Sequence, residues 1–128
     1  MPALYRVTIP VRTQSESNLR EHWRSKASRT AAHRQAARLC VQSALNVLPP
    51  WNELRQAIQG RHKHITIRLT RVAPRTLDPG NLEGSFKACQ DGIADALGID
   101  DGSQRLTWCY TQRRGAAREY AVLVEMTC

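Results

Sequence analysis

Between Leu4 and Pro10 apolar and polar positions alternate, with Tyr5, Val7 and Ile9 on one side of the chain. A period of two is the signature of a half-buried strand. The alternation returns at Lys63–Val72, where Ile65, Ile67 and Leu69 oppose Thr66, Arg68 and Thr70. It recurs through Leu106, Trp108 and Tyr110, and again through Tyr120, Val122 and Val124. Four strands are therefore predicted. After the first, a polar stretch at Thr13–Ser17 leads to Asn18, which with Glu21 three residues on forms a capping box. From there to about Leu48 the chain is rich in Ala, Arg and Gln, which favour helix, until Pro49 and Pro50 end it. Fully helical, this stretch would be about 45 Å long, so its opening turns around Ser17–Ser28 can also be read as loop or as a separate short helix. Trp51–Gly60 is a connector with helical character, and Pro74–Gly80 is a turn-rich loop. A second main helix is predicted over Asn81–Leu97, with Leu82, Phe86, Cys89, Ile93 and Leu97 on one stripe and Gly98 as its stop. Gly84 and Gly92 lie inside it and weaken it.

The order is β-α-β-α-β-β, and the last two strands are close enough to form a hairpin with a basic turn, Arg113–Arg118, at its tip. The expected fold is α+β: a mixed sheet of about four strands with two main helices packed on one face. With 128 residues and no repeat or linker, one domain over residues 1–128 is expected.

Composition adds a bias toward certain partners. The net charge is +8, and of 19 cationic residues only Lys26, Lys63 and Lys87 are lysine. An arginine-rich basic surface favours phosphate polyanions, although a solubilising surface has the same composition. Aromatic residues are 5% of the chain, which predicts an aliphatic, alanine-rich core. The start, MPALYRVTIP, is too short and polar for a secretory h-region, and no run reaches membrane-spanning length. Cys40, Cys89, Cys109 and Cys128 form no Cys-x-x-Cys pair, so reduced thiols in a cytoplasmic protein are expected, and a zinc site with His62 and His64 is not.

Two acidic spots stand out in this basic chain: Asp78 in Leu77-Asp78-Pro79-Gly80-Asn81-Leu82, and Asp100–Asp101 in Gly98-Ile99-Asp100-Asp101-Gly102. Each is also a turn sequence, and Asp78 or Asn81 can cap the following helix. Carboxylates facing phosphate make sense when a divalent ion sits between them. The predicted helix places the two spots about 25 Å apart in one subunit. They meet only if the second loop folds back, the helix is shorter, or a second subunit contributes.

The text RTLDPGNLEGSFKACQDGIADALGIDDGSQRLTWCYTQ resembles the RusA family of Holliday-junction resolvases, particularly its phage and prophage branch. The segment SESNLREHWRSKASRTAAHRQ is similar to that branch as well, so the resemblance runs from about Val7 to Met126. It implies a magnesium-dependent endonuclease, with Mn²⁺ as a possible substitute, that cuts branched DNA as a homodimer. It implies Asp78, Asp100 and Asp101 as metal-binding carboxylates, with Asp78 and Asp101 catalytic, and Lys87 as the catalytic lysine. Asn81 matches the motif asparagine and Asp91 the helix aspartate. One position departs: where the family carries a second ligating Asp, this chain has Gly80. Glu83 is a candidate replacement, and a catalytically impaired nucleic-acid-binding homologue is the alternative reading.

Further candidates for binding DNA are Asn18, Arg20, Arg24 and Arg75, and Arg113 and Arg114 in the basic turn. Arg20, Arg24, Arg34 and Arg38 recur at helical spacing, either tracking phosphates or simply facing solvent. Trp23 and Trp108 are candidates for base stacking, Trp108 being the better fit to a core position by its strand phase. Asn18 also serves as a helix cap, and Lys87 also spaces for an i, i+4 pair with Asp91.

Overall fold

The structure, a computed structural model, describes residues 4–14, 23–47, 52–60 and 63–128. The elements run β1 (Leu4–Ile9), α1 (Trp23–Val47), α2 (Asn52–Gln59), β2 (Ile65–Ala73), α3 (Pro79–Ser85), α4 (Lys87–Leu97), β3 (Leu106–Arg114) and β4 (Ala121–Thr127). The fold is α+β, with one mixed four-stranded sheet in the order β1-β4-β2-β3. The cap formed by Asn18 and Glu21, and the residues Arg20, His22, Trp51 and His62, lie outside the described residues.

The alternation read from the sequence becomes rows across the sheet. Tyr5, Met126, Ile67 and Trp108 form one row, and Val7, Val124, Leu69 and Tyr110 the next. Ile67, Leu69, Val122, Val124 and Met126 are fully buried, each worth about 1.5–3 kcal/mol in apolar surface removed from water. The opposite face carries Arg6, Thr8, Arg68, Thr107 and Thr111, all exposed. The helical layer covers only the apolar face, as the period-two pattern requires.

One expectation is corrected. β3 and β4 do not form a hairpin: β3 pairs in parallel with β2, and β4 runs antiparallel between β1 and β2. Helices α3 and α4 are the crossover that a parallel β2–β3 pair needs. The short segment after β3 then passes the end of β2, where Gly115 N donates to Ala73 O at 2.8 Å. A short connection fixes the reversal of direction but not which neighbour the next strand takes. β2, apolar along its inner face, takes the central place between β3 and β4.

The second predicted helix is also two. It breaks at Phe86, which is both the C-cap of α3 and the N-cap of α4. Phe86 is fully buried and stacks on Tyr110 of β3, ring centroids 5.8 Å apart. Helix α4 ends at Gly98, whose φ of 69° is the left-handed geometry glycine accepts freely. α1 is 25 residues long, about 37 Å, and packs mainly against α4. Arg105 closes the C-terminus of α2, its Nη2 donating to the carbonyls of Ala57 at 2.9 Å and Gly60 at 2.7 Å.

Candidate functional site

Lys87 opens α4 and points away from the core stripe of Cys89, Ile93 and Leu97, into a groove between α1 and α4. The groove encloses about 600 Å³ and is lined by Lys26, Thr30 and Arg34 from α1 and by Ser85, Lys87 and Asp91 from the opposite wall. A second hollow of about 470 Å³ continues it past Arg34 and Asp91 to Asp95, Asp100 and Asp101. The polar side of α4 therefore borders a cleft, which is what Lys87 and Asp91 need in order to act on anything.

Within the cleft the Lys87 ammonium holds two carboxylates. Its Nζ lies 2.8 Å from Asp101 Oδ2 and 3.0 Å from Asp91 Oδ1. The second contact is the i, i+4 pair expected from the spacing. The first requires the loop after Gly98 to turn back along α4. The Trp108 indole holds it there, its Nε1 donating to the Asp101 carbonyl at 2.9 Å. The hydrogen bond to Lys87 keeps the Asp101 carboxyl below the ordinary carboxylate range. The same bond, with that to Asp91, holds Lys87 above the ordinary lysine range.

The Tyr110 hydroxyl of β3 donates to Gln90 Oε1 of α4 at 2.8 Å. Burial, and then the negative charges of Glu83 and Asp101, push its phenol up. Across the cleft Arg34 makes a two-pronged pair with Asp95, Nε at 2.6 Å and Nη2 at 2.9 Å. That pair lowers Asp95 and raises Arg34.

The predicted residues are distributed unevenly. Lys87, Asp91, Asp100 and Asp101 share the cleft. Asp78 lies at the start of α3, exposed and making no cap hydrogen bond with its side chain. Among the described residues no three of His, Cys, Asp and Glu gather to hold a metal ion. Asn81 is half-buried in the first turn of α3, its N–H donating to the Asp78 carbonyl at 2.9 Å.

Arg24 is exposed, its guanidinium 5.3 Å from the ring centre of Trp23, itself 68% exposed. Arg34 is committed to Asp95, and Arg38 donates to Gln35 Oε1 at 2.9 Å. Arg113 and Arg114 are exposed at the end of β3 rather than at a hairpin tip, and Arg114 Nε donates to the Pro74 carbonyl at 3.1 Å. Arg75 is exposed on the loop after β2. Trp108 is half-buried against the core, as its phase predicts. Asn18 and Arg20 are not among the described residues.

Sequence reasoning missed Tyr110 and Gln90 as polar partners, and missed Arg71. Arg71 falls on the apolar side of β2 in phase with Ile65, Ile67 and Leu69, and that phase is the signal for it.

Among the described residues no helix is long and apolar enough to cross a membrane. No family model matches the chain, and no curated protein matches it either.

Proposed function

We propose that this protein is a metal-dependent endonuclease of the RusA kind, cutting branched DNA as a homodimer at the cleft between α1 and α4. The observation that supports this reading is the Lys87 ammonium lying between Asp91 and Asp101. A cation already draws these two carboxylates together, and two carboxylates completed by water and phosphate are a donor set that Mg²⁺ or Mn²⁺ accepts. When bound there, such an ion neutralises phosphate charge and acidifies a bound water. The chain's own residues supply the rest. Lys87 stays protonated through neutral pH, and with an ion in its place between Asp91 and Asp101 its ammonium would be released to a phosphate oxygen. Trp108 fixes the loop carrying Asp101, so the carboxylate is held in place before substrate arrives. Lys26 on the facing helix wall gives the cleft a positive rim for a phosphate backbone. Asp78, exposed at the far end of the broken helix, is free to serve a site completed by a second copy.

A specific observation favours the second reading, a nucleic-acid-binding homologue that does not cut. Gly80 brings no carboxylate beside Asp78. Incubating a labelled four-way junction with the protein and Mg²⁺ separates the two. The first reading predicts metal-dependent cleavage that D101N abolishes. Salt-sensitive binding with no cleavage in any divalent ion supports the second instead.

A further inference from the structure

The row that continues Ile9 and Val122 across the sheet ends in Arg71 and Gln112 where the earlier rows hold apolar or aromatic residues. Arg71 is only 7% exposed. Its Nε donates to Thr13 Oγ1 at 3.0 Å, its Nη1 to the Arg75 carbonyl at 2.6 Å, and its Nη2 to the Thr13 carbonyl at 3.4 Å. All three partners are neutral, and among the described residues no carboxylate pairs with it. A buried guanidinium normally has an anion. Burial and the nearby charge of Arg12 both work against its ionised form.

Arg71 lines a hollow of about 510 Å³ together with Arg12, Thr13, Gln14, Arg75 and Tyr120. Arg12 lies over the Tyr120 ring, 4.6 Å from its centre, which holds that guanidinium at the rim. Three arginines, two hydroxyl-bearing side chains and an amide thus converge, with no acidic residue among the described residues of the wall. The guanidinium of Arg71 has five N–H donors, and three are used, so one remains on each Nη. Among the described residues this hollow shares no lining residue with the α1–α4 cleft.

We propose that Arg12, Arg71 and Arg75 form a phosphate-binding pocket at the end of β2. Arg71 is the pre-ordered floor, held by Thr13 and the Arg75 carbonyl, and Arg12 and Arg75 close on the ligand from the rim. The pocket goes beyond the nuclease reading and does not depend on it. Its phosphate comes from a nucleic-acid backbone or from a free phosphate or nucleotide, and the chemistry of recognition is the same for both.

The test is thermal unfolding of the whole chain in inorganic phosphate against sodium chloride at matched ionic strength, with binding of a short labelled single-stranded oligonucleotide alongside. R71Q alters a buried side chain, so the exposed R12Q and R75Q carry the test. Phosphate should raise Tm above the chloride control, and each variant should weaken the apparent phosphate affinity about tenfold, the size of one charge-assisted bond. D101N should leave the phosphate response intact, which separates this pocket from the cleft. An equal loss of oligonucleotide affinity in R12Q and R75Q supports the pocket with a backbone phosphate as its ligand. A loss confined to phosphate and nucleotide supports it with a free ester. Protection no greater than that of chloride, or protection unchanged in both variants, overturns the proposal.

Discussion

Gly92 of α4 runs so close to α1 that a Cβ built on it would stand 2.2 Å from the Arg34 carbonyl oxygen and 2.8 Å from Ala37 Cβ. The glycine that weakens α4 as an isolated helix is what lets it meet α1, and that contact forms the wall of the cleft. G92A should therefore destabilise the fold by about 1–3 kcal/mol, the usual cost of overpacking, despite its better helix propensity. Urea unfolding measures it. G84A is the counterpart: no atom lies within 4 Å of its added Cβ, so it should gain about 0.5–1 kcal/mol.

Gly80 is equally open, with nothing within 4 Å of an added Cβ. It sits in the first turn of α3, where a carboxylate is favoured by the helix dipole. G80D should keep or raise Tm, and on the nuclease reading it should raise junction cleavage. Unchanged stability with no gain in cutting, in a wild type that cuts, would remove the metal site from the Asp78 loop.

The Lys87–Asp101 pair has a defined pH signature. The Asp101 carboxyl is lowered, so its contribution is full above its unfolded value, about 4, and is lost as pH falls through the lower folded value. Lys87 is raised, so its contribution is full below its unfolded value, about 10.4, and is lost as pH rises through the higher folded value. Both groups are partly solvated, which makes carboxyl-carbon NMR the suitable measurement. In K87M the Asp101 titration should move up toward the ordinary carboxylate range. A midpoint unchanged from wild type would mean the pair is not formed in solution.

The four thiols should separate by reactivity. Cys89 is fully buried and its thiol is pushed up to about 12, whereas Cys128 is exposed. With a thiol-reactive chromophore at neutral pH, Cys128 should react fastest and Cys89 only on unfolding. Fast labelling of Cys89 in the folded protein would contradict the packing of α4 on the sheet.

Much of this architecture is legible in the chain. The strand alternation gives the inner rows, with Tyr5, Ile67 and Val124 all buried where the period puts them. Gly98 gives the stop of α4. Strand order is not legible, because the short link from Arg114 to Ala121 suits a hairpin as well as a step past β2. Nor is the break at Phe86, which continues the apolar stripe and differs only in packing on Tyr110. At the cleft, the spacing of Lys87 and Asp91 is local and readable. The approach of Asp101 depends on a hydrogen bond from Trp108, a contact made only once β3 lies beside β2.

The central claim is that Asp91 and Asp101, drawn together around Lys87, hold a hard divalent cation. Electron paramagnetic resonance of Mn²⁺ titrated with protein reads this directly, since bound Mn²⁺ loses the free-ion signal. The account predicts saturable uptake by the wild type, abolished by D101N and weakened by D91N. Signal loss that is absent, or that persists undiminished in D101N, would contradict it.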